Sequence, residues 1–391
     1  MQFGDKAGRY MSSVYVVNNG KTEPMEVVLC KNEDKELQTL LKNNFNLLPG
    51  DQIDPDVPPR WMLIKREMPV PDPSTGTGRW SIDFFLVDQN ATPTFVECKR
   101  YLDTRARREV VGQVLEYAAN AQYYWNADEI RKHAESTAQE NQTTVDELFS
   151  TVHSELADSS DDFFKEVEKK LKSGDIRIVF FLEQAPPELK RLVEFMNNQM
   201  GTIEVLLVEA RQYEANGVRV VVPTLFGFTE KIRQIKIAVS TEKSRQPVAV
   251  DWESFERNAE LRGLDKPTVD VMRRVYETCK SLRADISWGR GTLIGSFSPK
   301  WPSLHATISP FSICSNGRLD THLSAFQNTE VAKNFLEAFT TQLKQGGFEL
   351  PQKYRGEWLS IEAKKWVPHV DTFIAALQGA LAKEASQPEL V

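Results

Sequence analysis

Residues 81–120 read SIDFFLVDQNATPTFVECKRYLDTRARREVVGQVLEYAAN. Two apolar, β-rich runs, 82–87 and 94–99, flank the turn signal Asp88-Gln89-Asn90, a pattern that predicts a β-hairpin. From residue 104 onward apolar side chains recur at steps of three and four, which is typical of a helix. The stretch therefore predicts a strand, a turn, a second strand and a helix.

Charged residues lie inside these otherwise apolar strands. Because alternate side chains of a strand share a face, Glu97 and Lys99 point to one side and Cys98 to the other. A hairpin can bring Asp83 beside them, which gives two carboxylates and one ammonium on one wall. A surface hairpin with a salt-bridged lysine would explain the same residues without a catalytic role.

This combination of groups suits the chemistry of phosphate esters. Carboxylate oxygens are the ligands that Mg²⁺ prefers, and the ion keeps other positions for water and a substrate phosphate. A neighbouring lysine can orient or deprotonate that water, or neutralise the developing charge. The trio therefore indicates metal-assisted phosphoryl chemistry.

The order of these residues resembles the PD-(D/E)XK nuclease superfamily. Asp83 is followed by thirteen residues and then by Glu97-Cys98-Lys99, and Gln113 and Tyr117 lie four apart on the next predicted helix. The Gln-x-x-x-Tyr helix is similar to the branch with RecB-type and phage-type exonucleases and NucS-like endonucleases. Ile82 stands where the superfamily's name has proline. The resemblance covers roughly residues 33 to 230.

The resemblance implies a fold and an activity. The implied fold is α/β, with a restriction-endonuclease-like mixed sheet flanked by helices. The implied activity is hydrolysis of phosphodiester bonds, in DNA rather than RNA, with Mg²⁺ or Mn²⁺ as cofactor. Asp83 and Glu97 would bind the metal, and Lys99 would orient or deprotonate the attacking water. Gln113 and Tyr117 would position the lysine or the phosphate.

Two further acids are candidates at the same site. A helix is predicted over 33–44, and the superfamily often carries an acid on the helix before the sheet. The resemblance implies Glu36 as this further metal ligand, with a solvated helix acid as the alternative. Glu67 lies near the end of a predicted strand over 61–67 and could be a ligand or the partner of an arginine.

Four arginines are the candidate contacts to nucleic acid. Arg100 follows the second strand, and Arg105, Arg107 and Arg108 lie in the first turn of the predicted helix. A helix N-terminus already favours anions, so these side chains are expected to hold the phosphate backbone. Such contacts fix the position of a nucleic acid without reading its sequence.

Composition sets bounds on the whole chain. A net charge of −7 argues against a protein that coats nucleic acid through bulk charge, but not against one basic groove. The four cysteines are scattered, with no zinc spacing and no disulfide framework, as in a reducing cytoplasm. No signal peptide and no apolar run near 18 residues is found, so we expect a cytoplasmic protein without membrane contact.

The length of 391 residues suggests two or three domains. We expect a nuclease-like domain over 1–240 with a solvated helical insertion at about 126–172, a polar linker over 241–251, and a smaller α+β accessory domain over 252–391. A strand, helix and strand pattern over 177–208 predicts a βαβ unit that extends the sheet. The accessory domain would recognise a modified base, a DNA structure or a partner.

The leading hypothesis is thus a prokaryotic nuclease in DNA repair or in defence against foreign DNA. One alternative is a nuclease-fold module that binds nucleic acid or protein partners without catalysis. Another is a metal-free structural adaptor. A homodimer that cuts two strands is compatible with the sequence, although no interface can be read from it.

Overall fold

The structure is a computed structural model. It describes residues 14–18, 20–55, 58–72, 78–100, 106–152, 154, 157, 159–227, 247–289, 291, 293–305, 308–326, 329–348 and 359–385. Two short strands at the start of this range, β1 (Tyr15–Asn18) and β2 (Lys21–Pro24), pair in an antiparallel hairpin.

A seven-stranded sheet organises the first part of the chain. Its strands are β3 (Glu26–Val28), β4 (Met62–Pro71), β5 (Gly78–Val87), β6 (Pro93–Lys99), β7 (Arg177–Leu182), β8 (Glu204–Ala215) and β9 (Val218–Phe226). The order is β3-β8-β7-β6-β5-β4, with β9 also paired to β8. The β6, β7 and β8 strands are parallel, and the other pairings are antiparallel. The prediction of an α/β fold with a mixed sheet is confirmed.

Helices cover both faces of this sheet. A π-helical turn, Glu33–Gln38, runs into α1 (Thr39–Asn43), and α2 (Gly50–Ile53) follows. The remaining helices of this part are α3 (Ala106–Tyr124), α4 (Ala127–Glu140), α5 (Val145–Val152), α6 (Ser160–Ser173) and α7 (Pro187–Gln199). The β7–α7–β8 segment is the predicted βαβ unit, because β7 and β8 pair in parallel.

The alternation of side chains in β5 and β6 divides the core into two layers. Phe85 and Phe95 point to the layer of α3 and pack on Trp125, with ring centroids 4.8 and 5.9 Å away. Phe84 and Val96 point to the opposite layer, which the segment 33–43 covers. The hairpin is therefore buried on both faces, and its charged residues lie at its end.

The helical segment predicted as an insertion is part of the core. Phe163 and Phe164 of α6 and Ile130 of α4 are fully buried in the same layer as α3. The Thr137 hydroxyl of α4 donates a hydrogen bond to the Ile64 carbonyl of β4 at 2.6 Å. The expectation of a solvated insertion is wrong, because the acidic residues that suggested it are exposed on the outer faces of these helices while the apolar faces are buried.

The second part of the chain is built on a five-stranded antiparallel sheet in the order β10 to β14. Its strands are β10 (Asp285–Trp288), β11 (Ser296–Lys300), β12 (Phe311–Cys314), β13 (Leu319–Thr321) and β14 (Leu359–Ile361). Its helices are α8 (Trp252–Leu261), α9 (Lys266–Ser281), α10 (Leu323–Phe326), α11 (Glu330–Gln345), α12 (Ala363–Trp366) and α13 (Val370–Ala385).

This second part has a hydrophobic core of its own. Phe339 and Phe373 meet edge to face at 5.5 Å within it. Ala249 is buried in the same core and Asp251 caps α8, so the described end of the predicted linker belongs to this part. Residues 228–246 lie outside the described ranges, and the predicted domain boundary there stays a prediction.

Across the described ranges, no helix has both the length and the apolar character needed to cross a membrane.

Candidate functional site

The β5–β6 ladder sets the positions of the three predicted central residues. Phe85 pairs with Phe95 and Phe84 with Val96, and the regular pairing ends there. Continued by one step, this register places Asp83 opposite Glu97. The Asp83 carboxylate instead accepts the backbone N–H of Cys98, with Oδ2 2.7 Å from the nitrogen. The hairpin therefore brings Asp83 to the strand that carries Glu97, as the sequence predicts.

Glu97 and Lys99 share a face of β6, which confirms the alternation argument. The Lys99 ammonium lies 2.9 Å from Oε1 of Glu97. Only 2% of the Glu97 side chain is exposed, whereas 17% of the Lys99 side chain is exposed. Cys98 packs in the opposite layer of the core. The pair thus forms the buried wall of a site whose open side is at Lys99.

A fourth charged group enters from the helical segment before the sheet, and it is Glu33. Its Oε1 lies 3.3 Å from the Lys99 ammonium, and its Oε2 accepts the backbone N–H of Arg100 at 3.0 Å. Asn32 caps the segment through a bond from the Lys35 amide, which makes Glu33 the first helical residue. Sequence reasoning missed Glu33, although its position directly after a capping residue is a readable signal.

Glu36, the acid implied by the resemblance, is held elsewhere. Its Oε2 accepts the backbone N–H of Lys31 at 2.8 Å. Burial raises the pKa of the Cys30 thiol, and the charges of Glu183 and Glu36 add to the rise. The structure therefore brings Glu33, one helical turn earlier, to Lys99 in place of Glu36.

Glu67 approaches the trio from β4. Arg66 pairs with Phe84 and Met68 pairs with Ile82, so Glu67 lies opposite Asp83. Its backbone has a φ of 50°, in the left-handed region that non-glycine residues rarely adopt. The Ser81 hydroxyl donates to Oε2 of Glu67 at 2.8 Å.

Gln113 and Tyr117 form a bonded pair on α3. The Gln113 amide donates to the Tyr117 hydroxyl oxygen at 2.6 Å, as their four-residue spacing allows. Burial raises the pKa of the Tyr117 phenol, and the charge of Glu97 adds to the rise. The phenol therefore lies within electrostatic reach of the Glu97–Lys99 wall.

The structure describes only part of the predicted arginine set. Arg105 lies outside the described residues, and Arg107 and Arg108 lie on α3 with side chains outside them. The Arg100 guanidinium donates to the Lys31 carbonyl at 2.9 Å, so it ties the loop before the helical segment to the end of β6. The contact with nucleic acid that the sequence predicts for these four arginines stays a prediction.

An acid at the end of the neighbouring strand β7 was also missed. Glu183 follows Leu182, which pairs in parallel with Lys99, and it accepts the backbone N–H of Cys30. Only 3% of Glu183 is exposed. An acid directly after the apolar run 178–182 is the signal that could have identified it, since ligands of open α/β sheets bind beyond the carboxyl ends of parallel strands.

The electrostatics of the trio are unbalanced. Burial, together with the charge of Glu97, raises the pKa of Asp83 to about 8. Burial also raises the pKa of Glu97, in spite of the opposing charge of Lys99. For Lys99, burial alone would lower the pKa, but the charge of Glu97 and its hydrogen bond outweigh burial and hold the pKa above its ordinary value. Lys99 is therefore an ammonium, and the carboxylates beside it are short of positive charge.

Two carboxylates of the site offer oxygen atoms of the kind that a divalent cation uses as ligands. Among the residues that the structure describes, Oε2 of Glu97 is buried without a hydrogen-bond partner, and Asp83 presents a second carboxylate beside it. Within the ranges that the structure describes, no three Asp, Glu, His or Cys side chains stand close enough together to hold an ion. Two carboxylates still suit Mg²⁺ or Mn²⁺, because Mg²⁺ typically uses one or two protein carboxylates and keeps its other positions for water and phosphate.

Comparison of the chain with protein-family models, with curated proteins and with solved structures finds no significant match. The superfamily resemblance therefore rests on the residues of this site.

Proposed function

We propose that this chain is a metal-dependent nuclease that hydrolyses phosphodiester bonds. The observation that carries the proposal is the convergence of Asp83, Glu97 and Lys99 at the end of β6, with the Gln113–Tyr117 pair within electrostatic reach. The excess of buried carboxylate over ammonium supports it, because such a site gains stability from a bound cation.

In this proposal Asp83 and Glu97 hold Mg²⁺ or Mn²⁺. When bound, the ion would stabilise charge on the phosphate oxygens and lower the pKa of water. In the metal-free chain the charge of Glu97 holds the pKa of Lys99 above its ordinary value, and the role that we assign to this ammonium is to stabilise negative charge that develops on the phosphate. Glu33 fixes the position of the Lys99 ammonium through its own ion pair.

The Gln113–Tyr117 pair positions the phosphate. The Tyr117 oxygen accepts its bond from Gln113, which leaves the phenolic hydrogen available as a donor. A phosphate oxygen next to Lys99 is the acceptor that we assign to this hydrogen. Because Tyr117 is buried on α3, its donor is held in place before substrate binds.

DNA is the proposed substrate, with repair or defence against foreign DNA in a prokaryotic cytoplasm as the biological role. This part of the proposal rests on the superfamily resemblance. The part of the chain from residue 247 onward would then recognise a modified base, a DNA structure or a partner, and a homodimer is compatible with cutting of both strands.

The test is cleavage of single- and double-stranded DNA, linear and circular, with Mg²⁺, Mn²⁺ or EDTA. The variants are Lys99→Ala and, as a matched control, Lys65→Ala. Lys65 also pairs with a carboxylate, Glu140, but on the α4 side of β4. We expect metal-dependent cutting that falls about 10²- to 10³-fold in Lys99→Ala, as for loss of an electrostatic donor, and persists in Lys65→Ala. Loss of circular DNA would identify an endonuclease.

The same samples also test the alternative function, a nuclease-fold module that binds nucleic acid without catalysis. If no DNA is cut, a binding titration at two salt concentrations separates the remaining outcomes. Tight, salt-sensitive binding would favour a nucleic-acid-binding module without catalysis. Absence of both cleavage and binding would contradict both functions.

A further inference from the structure

Three half-buried aromatic side chains form a row in the second part of the chain, and we call them the aromatic strip. Trp252 of α8 lies 4.9 Å from Tyr276 of α9, and Tyr276 lies 5.9 Å from Trp288 of β10, measured between ring centroids. The fully buried Phe297 of β11 packs against all three, with centroid distances of 6.2, 5.5 and 6.1 Å. The strip is therefore a surface of touching rings that rests on the core.

Packing of the core does not account for the whole strip. Trp301 and Trp366 belong to the same core, where they are 4% and 0% exposed and donate their indole N–H groups to backbone carbonyls. Trp252, Tyr276 and Trp288 pack on that core but keep part of their surface in solvent. Apolar residues that are exposed singly are ordinary, whereas adjacent rings with surface in solvent are typical of an interaction site.

Two cations lie at the strip. The Arg273 guanidinium carbon is 5.5 Å from the ring centre of Trp252, and the Lys280 ammonium is 5.3 Å from the ring centre of Tyr276. Arg273 is paired with Glu256, which also accepts the Trp252 indole N–H at 3.1 Å. Lys280 is exposed and makes no ion pair with the residues that the structure describes. Its positive charge is therefore available to an anion that approaches the strip.

The spacing of the rings selects the kind of ligand. A cage for a cationic ligand holds that ligand between ring faces, but neighbouring rings of the strip are already in contact with one another. A ligand must instead lie on the outer surface of the strip, as a flat nucleic-acid base does. Bases stack on aromatic side chains whatever their sequence, and nearby cations balance the phosphates. In a duplex the faces of each base are already stacked, so only an unpaired strand offers free bases.

We propose that the aromatic strip binds the unpaired bases of single-stranded DNA, with the Lys280 ammonium at an adjoining phosphate. The Arg273–Glu256 pair holds the Trp252 ring in place through the indole N–H. The choice of DNA as the polymer rests on the proposed function, whereas the strip shares no residue with the proposed metal site. Binding at the strip can therefore be measured without cleavage, and it gives the second part of the chain the role of holding an unpaired strand.

The experiment measures the fluorescence anisotropy of a labelled oligothymidine with the full chain in EDTA, where metal-dependent cleavage does not occur. The same strand annealed to its complement tests the preference for unpaired bases. The variants are Tyr276→Leu, which removes a ring of the strip, Tyr276→Phe, which keeps the ring, and Lys280→Ala. Tyr123→Leu is the matched control, because Tyr123 is an aromatic residue of α3 that is 78% exposed.

We expect the affinity for the single strand to fall about 10- to 100-fold in Tyr276→Leu, as for the loss of one stacked base. Tyr276→Phe and Tyr123→Leu should bind as the wild type does, and the duplex should bind more weakly than the single strand. Lys280→Ala should reduce the slope of log affinity against log salt by about 0.7, as for one phosphate contact of a single strand.

A second measurement needs no variant and so does not depend on how a variant folds. Photochemical cross-linking of the wild type to an oligonucleotide that carries iodouracil, followed by peptide mapping, should modify Trp252, Tyr276 or Trp288. Cross-links confined to other residues, equal binding of single strand and duplex, or unchanged affinity in Tyr276→Leu would overturn the inference. Cleavage of DNA by a chain that does not bind oligothymidine in EDTA would overturn it and leave the proposed function intact. Binding at the strip without metal-dependent cleavage would support it and contradict the proposed function.

Discussion

Two of the buried clusters of carboxylates and cations on the main sheet, one at Asp88 and one at Glu97, differ in how fully they are satisfied. Asp88, at the start of the β5–β6 turn, has one oxygen bonded by the amides of Asn90 and Thr92 and the other by the Arg177 guanidinium at 2.8 Å. Arg177 also pairs with Glu204 at 2.7 Å. At the other end of β6, Oε2 of Glu97 has no hydrogen-bond partner within the described part of the chain.

The pKa values of the two aspartates move in opposite directions. Burial alone would raise the pKa of Asp88, but the charge of Arg177 outweighs it and holds the pKa below its ordinary value. Burial raises the pKa of Asp83, and there the charge of Glu97 adds to the rise. Two aspartates five residues apart on one hairpin thus have opposite environments. The satisfied cluster stabilises the fold, and the unsatisfied cluster holds a buried carboxylate oxygen that a cation would stabilise.

The largest effect is expected when the satisfied cluster is broken. Asp88→Asn removes the negative partner of a buried guanidinium, which typically costs about 3–5 kcal/mol of unfolding free energy. The lowered pKa of Asp88 means that its contribution is present at neutral pH and is lost as the pH falls below the ordinary value. Urea unfolding at pH 7 and at pH 3, which is below the ordinary pKa of 3.8, checks this. An equally stable variant at pH 7 would contradict the structural role.

The same substitution at Asp83 should have the opposite sign. The folded chain holds the Asp83 proton more tightly than the unfolded chain, so stability is lost as the pH rises from 3.8 towards about 8. Asp83→Asn removes this loss, and its amide oxygen can still accept the Cys98 N–H. We expect a variant with little or no activity that is more stable than the wild type in EDTA, by a margin that grows between pH 5 and pH 8.

Thermal unfolding at several pH values in EDTA measures this margin. If the Tm of the wild type and the Tm of Asp83→Asn change with pH in the same way, Asp83 titrates normally. The difference in pKa shift between Asp83 and Asp88 would then be contradicted.

Added metal should sharpen the contrast further. A cation that binds only the folded chain stabilises it by about 2.7 kcal/mol at a hundredfold excess over Kd. We expect Mn²⁺ to raise the Tm of the wild type and of Asp88→Asn but not of Asp83→Asn. A rise in all three proteins would place the metal at a site other than Asp83.

The smallest effect is expected at the Gln113–Tyr117 pair. Tyr117→Phe removes one hydrogen bond, which typically costs about 0.5–1.5 kcal/mol of stability. If the phenol positions a phosphate, the variant loses cleavage rate without losing affinity for Mn²⁺. Single-turnover cleavage and a Mn²⁺ titration on the same preparation separate these quantities, and a loss of affinity equal to the loss of rate would place Tyr117 at the metal.

Local periodicity explains which parts of the site could be predicted from the sequence. The shared face of Glu97 and Lys99 follows from the two-residue repeat of a strand, and the contact of Gln113 with Tyr117 follows from the helix repeat. The residue at which the helical segment begins decides whether Glu33 or Glu36 lies beside Lys99. By residue type both Asn32 and Asp34 can cap this segment, so the sequence leaves its start open.

Longer-range features could not be read from local patterns. The Asp88–Arg177 pair joins residues 89 positions apart, and it depends on the parallel pairing of β6 with β7. The positive φ of Glu67 could not be predicted from the sequence, because glutamate rarely adopts the left-handed backbone conformation. The burial of α4 and α6 was missed because their charged outer faces dominate the composition of that segment.

The central claim is that the unsatisfied end of the sheet is a cation-dependent catalytic site. The most direct test is cleavage of circular and linear DNA by the wild type and by Asp83→Asn, each in Mn²⁺ and in EDTA. The account predicts cutting by the wild type in Mn²⁺ alone and none by a folded, more stable Asp83→Asn. Cutting that survives EDTA, or that persists in Asp83→Asn, would contradict it.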